Sequence, residues 1–331
     1  MRRREFIAFA GSVVVEAWPR NGWAQQPQKL NRIGILGVGS PTDTMLGPEP
    51  DGPYTKAFLA GMRERGYVYG RHFVTEPRSA EGTPARFPSL AAELVALQPD
   101  VIVAAGPALP WLKAATSTIP IVMTATSDPV EEGYAESLAR PGRNFTGLSL
   151  QSLELTAKRL ELLKELVSGT GPIGVIWDRS SQRSWRVAEA NALALGLTPL
   201  SFEILDPKEI ENTFKAASDA RAHSLLVFAA GHLFGQARQV AELAARLRLP
   251  AMYDLRVYVE AGGLISYSAN LIDIWRRAAS FVDRILKGAR PAELPIEQPT
   301  EFELLINLKA ARALGLAVPP TLLARTDEVI E

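Results

Sequence analysis

One order of elements occurs twice in this chain, and it limits the fold more than any single motif. In the first half a helix closed by Gly66 is followed by a strand, a Thr83-Pro84 helix cap, a helix, and the run Val101-Ile102-Val103-Ala104-Ala105-Gly106. In the second half a helix closed by Gly196 is followed by a strand from Pro199 to Leu205, an Asp206-Pro207 cap, a helix, and Leu225-Leu226-Val227-Phe228-Ala229-Ala230-Gly231. Short apolar runs ended by glycine and alternating with capped helices are the strands of a parallel sheet buried on both faces. A β-α pattern repeated once per half predicts an α/β fold of two Rossmann-like lobes with parallel sheets rather than one large sheet. The 331 residues, 47% hydrophobic and 22% charged, suffice for two domains of about 150 residues.

The stretch Pro99 to Glu131 shows where such lobes place their chemistry. Val101 to Ala105 and Ile121 to Thr124 read as neighbouring strands, joined by a short helix whose start is marked by Pro107 and Pro110. After the second strand, Ser127-Asp128-Pro129-Val130-Glu131 has an Asp to cap, a Pro at the first helical position and a Glu for a capping box, which predicts a new helix there. Each strand thus delivers the chain into a helix N-terminus, whose free N–H groups favour an anionic or hydrogen-bond-accepting guest. Ser40, after the first strand, sits at a third such end. Gly37-Val38-Gly39 resembles half of a dinucleotide fingerprint, but the third glycine is missing and a long proline-bearing loop follows, which argues against nicotinamide binding.

Residues 1–24 are read as an export signal and set aside from the fold. Arg2-Arg3-Arg4-Glu5-Phe6-Ile7 opens them in a way that resembles a twin-arginine signal, and an apolar run and small residues follow. The competing reading is an amphipathic first helix of a cytosolic protein. Removing Arg2, Arg3, Arg4, Arg20, Glu5 and Glu16 from 36 basic and 36 acidic residues leaves 32 and 34, so no electrostatic footprint for nucleic acid or an anionic membrane remains. The absence of cysteine excludes disulfides, thiolate metal sites, a cysteine nucleophile and a cysteine-linked lipid anchor. An exported chain without that anchor and without a second long apolar run is expected in the periplasm, with no membrane insertion after signal removal.

Catalytic motifs are lacking. His72, His223 and His232 do not have metal-ligand spacing, and no Gly-x-Ser-x-Gly, His-Glu-x-x-His or P-loop occurs. The expectation is a binding protein with no catalytic residue, metal or cofactor. Asp178 and Asp254 each follow a second-half strand and either cap a helix or bind an ammonium or amide group. His232 either touches ligand or is a solvated loop residue. Trp177 and Tyr253 are core residues or a flat wall for a ligand side chain.

The segments SLARPGRNFTGLS, YDLRVYVEAGGLISYSANLIDIWRRAASFVDRILKGARP and LPIEQPTEFELLINLKAARALGLAVPPTLLARTDEVIE, together with the SDPV turn, strongly resemble ABC-transporter substrate-binding proteins of the tryptophan-binding-like branch. The resemblance implies the type I periplasmic-binding-protein fold, with three interlobe crossings and a hinge that closes on a small ligand. It also implies an ABC permease as partner for a monomer. The crossings map to Phe145–Ser149, Gly263–Tyr267 and Pro291–Pro299. The N-terminal lobe is then 29–147 plus 264–290, and the C-terminal lobe 148–263 plus 291–331. The chain departs from the family pattern in its long loop from Val38 to Pro53, at Trp177-Asp178-Arg179-Ser180 and at Gly231-His232.

The ligand-binding set expected from both lines of reasoning is Ser40, Gly106, Pro107, Ala108, Thr126, Ser127 and Asp128 from the first lobe, and Asp178, His232 and Asp254 from the second. An amino-acid-like zwitterion, or a small aromatic or carboxylate compound, would suit it. Two alternatives share the architecture. A ligand-sensing regulator would carry a DNA-binding helix pair, and a two-lobed sugar-transferring enzyme would hold a nucleotide in the cleft and show turnover.

Overall fold

The computed structural model describes residues 30–150, 152–167, 171–228, 233 and 235–331. The export segment 1–24 and His232 lie outside these described residues.

The first sheet contains β1 (Asn31–Gly37), β2 (Phe73–Ser79), β3 (Val101–Ala105), β4 (Ile121–Ala125) and β5 (Phe145–Gly147). They pair in the order β2-β1-β3-β4-β5, all parallel. The crossover helices are α1 (Pro53–Glu64), α2 (Phe87–Ala96) and α3 (Leu109–Ala115). Then α4 (Thr156–Val167) leads into the second sheet, made of β6 (Ile173–Asp178), β7 (Pro199–Ile204), β8 (Ser224–Val227), β9 (Ala251–Tyr253), β10 (Ile265–Ala269), β11 (Phe302–Asn307) and β12 (Glu328–Ile330). Its order is β12-β11-β10-β9-β8-β6-β7, with only β10 and β11 antiparallel. The remaining helices are α5 (Gln182–Ala194), α6 (Ile210–Asp219), α7 (Ala237–Arg246), α8 (Val257–Glu260), α9 (Leu271–Leu286), α10 (Leu308–Ala313) and α11 (Pro320–Leu323).

Both sheets are covered on both faces, which is why their central strands read as unbroken apolar runs. In the first lobe Leu90 and Leu94 of α2 and Leu112 of α3 cover Ile102 and Met123 on one face. Phe58 and Met62 of α1, with Phe281 of α9, cover Ile33, Ile35 and Val103 on the other. In the second lobe Leu160 and Leu163 of α4 pack with Val175, Leu226 and Met252, while Phe214 of α6 and Val240 of α7 cover the opposite face. Each such large side chain removed from water contributes roughly 1.5–3 kcal/mol.

Three expectations are corrected. The strand assigned to the first lobe at 264–267 is β10, which pairs with β9 and β11 in the second sheet; only α9, which follows it, returns to pack on α1 and β4. The segment from Pro291, assigned to the second lobe, lies along β5 of the first. There Thr146 Oγ1 donates to the Leu294 carbonyl (2.8 Å), and the Glu297 amide donates to that of Gly147 (2.9 Å). The chain therefore crosses between lobes after β5 and before α4, between β10 and α9, and between Glu297 and β11. Finally, no helix follows Ser127. Asp128 does cap, with Oδ1 accepting from the amides of Val130 and Glu131, and Glu132 rather than Glu131 returns its carboxylate to the Asp128 amide. The turn stops at Gly133, whose φ of +71° breaks helical geometry within one turn.

Candidate functional site

In parallel sheets the strands end together, and here the C-terminal ends of β1, β3 and β4 face the loop that follows β9. Between them lies a chamber of about 310 Å³. Its first-lobe wall is Val38 to Ser40 after β1, Ala105 and Ala125 at the ends of β3 and β4, and Tyr54 and Thr55 at the start of α1. The second lobe contributes Leu255, Val257 and Tyr258, and α9 contributes Leu271 and Trp275. The rings of Tyr54 and Trp275 are stacked with centroids 6.0 Å apart and planes 28° apart. That pair brings the starts of two helices, 221 positions apart in sequence, into one aromatic surface.

The electrostatics of this chamber are simple. No Asp, Glu, Lys, Arg or His side chain is among its described lining residues. Burial, reinforced by the Glu260 carboxylate, pushes the Tyr54 phenol up to about 12. Burial, with Asp254 and Asp178 nearby, pushes the Tyr258 phenol well above its usual value. Both rings are therefore neutral hydrogen-bonding groups at physiological pH. Tyr258 is fixed in place, with its hydroxyl donating to the Leu233 carbonyl (2.7 Å) and its ring 5.0 Å from that of Tyr253, nearly parallel to it.

The expected site residues are distributed unevenly around this space. Ser40 lines it. Gly106, Pro107 and Ala108 form the turn that leaves its wall at Ala105, and Gly106 is small because a Cβ there would sit 2.4 Å from the Ala125 carbonyl. Thr126 is buried, and its carbonyl accepts from the Leu150 amide at the first crossing. Asp178 and Asp254 are buried and do not line the chamber; Asp178 accepts from Ser181 Oγ (3.3 Å) and Asp254 from Ser152 Oγ (3.5 Å). Trp177 stacks on Trp185 and donates to Ser201 Oγ, so it belongs to the second-lobe core.

Ser127 and Asp128 line a different, polar cavity of about 460 Å³ on the rim, with Arg179, Arg183 and Arg186 opposite. Asp128 Oδ2 there accepts from Arg183 Nη1 of α5 at 2.5 Å, and Glu131 pairs with the same guanidinium. This ion cluster joins the lobes across the mouth of the cleft. Its members are half exposed, so its contribution is small: Arg183→Ala is expected to lower the unfolding free energy by at most about 1 kcal/mol, and by less in high salt. Urea unfolding of both proteins at low and high ionic strength checks this; a loss independent of salt contradicts it.

Tyr54, Thr55, Leu255, Tyr258, Leu271 and Trp275 line the chamber without any motif that marks them as site residues. The only sequence trace of their role is position: Tyr54 and Trp275 lie near the starts of helices that follow, respectively, a long loop and an interlobe crossing.

A sequence model of the family described as ABC transporter substrate binding protein matches residues 53–330. The chain belongs to that family. Its members are substrate-binding proteins rather than enzymes, and they serve ABC transporters on the outer side of the membrane. Among the described residues, no helix is long and apolar enough to cross a membrane. The tyrosine-binding protein of Clostridioides difficile (strain R20291) is 25% identical over 267 residues, 79% of this chain and 76% of that protein. Two solved structures are each 25% identical and match 91% of this family member and all of the other chain. One is a conserved domain protein from Vibrio cholerae O1 biovar El Tor, with a TM-score of 0.81. The other is an ABC domain from Streptococcus pneumonia in complex with L-Trp, with a TM-score of 0.80. They agree with the tryptophan-binding-like branch and with the two-lobed type I periplasmic-binding-protein fold.

Proposed function

We propose that this protein is the periplasmic solute-binding component of an ABC importer, and that it closes on an amino acid with an aromatic side chain, or a small aromatic acid, and delivers it unchanged to a membrane permease. The Tyr54–Trp275 surface inside a neutral-walled chamber carries this reading. At about 310 Å³ the chamber stands at the lower end of the roughly 300–1000 Å³ that small-molecule sites occupy. A flat ring suits its walls, and the N–H groups beside Ser40 and at the start of α1 suit a carboxylate. Micromolar binding requires about −8 kcal/mol, whereas a helix terminus contributes roughly 0.3–1 kcal/mol. Burial of the ring by lobe closure therefore has to supply much of the remainder. The names of the tyrosine-binding and L-Trp-bound relatives favour the same ligand class.

A thermal-shift series tests it. A ligand at about 100 times its Kd adds about 2.7 kcal/mol, or a rise in Tm of roughly 5–10 °C for domains of this size. L-tryptophan, L-tyrosine, L-phenylalanine and aryl carboxylates are expected to include at least one compound with that effect, and aliphatic amino acids and sugars are expected to have none. No shift with any aromatic compound would remove the reading.

A further inference from the structure

Arg159, on α4, is 1% exposed, and a buried guanidinium persists only where its hydrogen bonds and charge are met. Its partners come from three separate segments, one of them seven residues before it and two about a hundred residues after it. Nη1 donates to the carbonyl of Ser152 (2.7 Å) and to its hydroxyl (3.2 Å), at the first interlobe crossing. Nε donates to the Tyr267 carbonyl (2.8 Å) in β10, the strand that feeds the second crossing. Nη2 approaches the Asp254 carbonyl (3.5 Å) in the cleft loop after β9. The Ser152 hydroxyl also donates to Asp254 Oδ2 (3.5 Å), so the guanidinium, this hydroxyl and the carboxylate form a short relay. Burial lowers the Arg159 pKa to about 10 while Asp254 pulls it back up, which leaves the group charged at neutral pH.

We propose that Arg159 is the positioning residue of the hinge: one buried guanidinium fastens the first crossing, the approach to the second, and the Asp254 loop, so that the crossings and the cleft loop open and close as a single unit. A lysine in its place keeps the charge but lacks the planar fork of donors needed to reach all three segments. The inference rests on the reading that the lobes close on a ligand, but the measurement below follows the crossings whether or not any ligand binds.

Native-state amide hydrogen exchange of the wild type, Arg159→Lys, Ser152→Ala and Leu163→Ala tests it. Leu163 is buried on the same helix and touches none of these groups by hydrogen bond, so its variant reports general loosening of the second lobe. In Arg159→Lys, exchange in 152–155, 254–256 and 267–270 is expected to rise together by about tenfold relative to β6 and β8. Leu163→Ala is expected to loosen the strands and the three segments alike. Should Arg159→Lys fail to fold, Ser152→Ala removes the relay hydroxyl and is expected to give the same three-segment pattern at smaller amplitude. Unchanged exchange at the crossings in the variants that fold, or a pattern indistinguishable from that of Leu163→Ala, overturns the proposal.

Discussion

Trp275→Ala is expected to abolish the thermal response to aromatic ligands and to lower the unfolding free energy by about 3–5 kcal/mol. The two effects have separate causes. Trp275 is 5% exposed and lies on the apolar stripe of α9 between Leu271 and Ala278, so its removal leaves a cavity between α9 and α1. It is also half of the aromatic surface of the chamber, and Tyr54 without its partner is free to turn into the space left. Trp275→Phe separates the causes: it keeps a flat ring and most of the packing, and is expected to retain ligand binding within about tenfold, a change of about 1.4 kcal/mol. Calorimetric titration with whichever aromatic compound stabilises the wild type decides the matter. Undiminished affinity in a folded Trp275→Ala protein would move the ligand elsewhere.

That prediction uses a residue that the sequence assigns only to a helix face, and the reason shows what periodicity can carry. Leu271, Ile274, Trp275, Ala278, Phe281, Val282 and Ile285 recur at helical spacing, which establishes α9 and its buried side. Whether a position near the start of that side meets another helix or an empty chamber depends on which loops stand opposite. Those come from β1 and β9, far away in sequence. The two-lobed architecture is different in kind. Runs such as Val101–Ala105 and Leu225–Val227 are apolar at every position because helices cover both faces, and that information is local. Asp128 falls between the cases. Its capping role is legible in Asp128-Pro129-Val130-Glu131, although Glu132 and not Glu131 closes the box, but its second oxygen is taken by Arg183, 55 residues on, and no short-range pattern announces a rim contact between lobes. β10 reads as first-lobe chain because its neighbour in sequence, α9, belongs to that lobe; strand pairing overrides adjacency along the chain. Arg159 follows Lys158 on α4, and nothing local in Thr156-Ala157-Lys158-Arg159 tells which of the two basic side chains the fold turns inward.

A single methyl group at Gly147 is expected to cost more than 3 kcal/mol, because two independent penalties coincide there. Its φ is +128°, a conformation that costs a residue with a Cβ roughly 1–3 kcal/mol. A Cβ would in addition sit 2.3 Å from the carbonyl oxygen and 2.5 Å from the nitrogen of Met123 in β4, and backbone in a sheet cannot move aside as a side chain can. The residue is also where the first crossing begins. The Leu148 amide donates to the Met123 carbonyl, and the Gly147 carbonyl accepts from Glu297, so displacing β5 loosens both the first and the third connection between the lobes. Gly66 supplies the control. Its φ of +82° carries the conformational penalty alone, since a Cβ there would meet nothing within 4 Å, and Gly66→Ala is expected to cost only about 1–2 kcal/mol. Urea unfolding of Gly147→Ala and Gly66→Ala compares them directly. Equal losses would mean that β5 shifts without resistance, and the edge of the first sheet would then be too pliable to serve as the fixed end of a hinge.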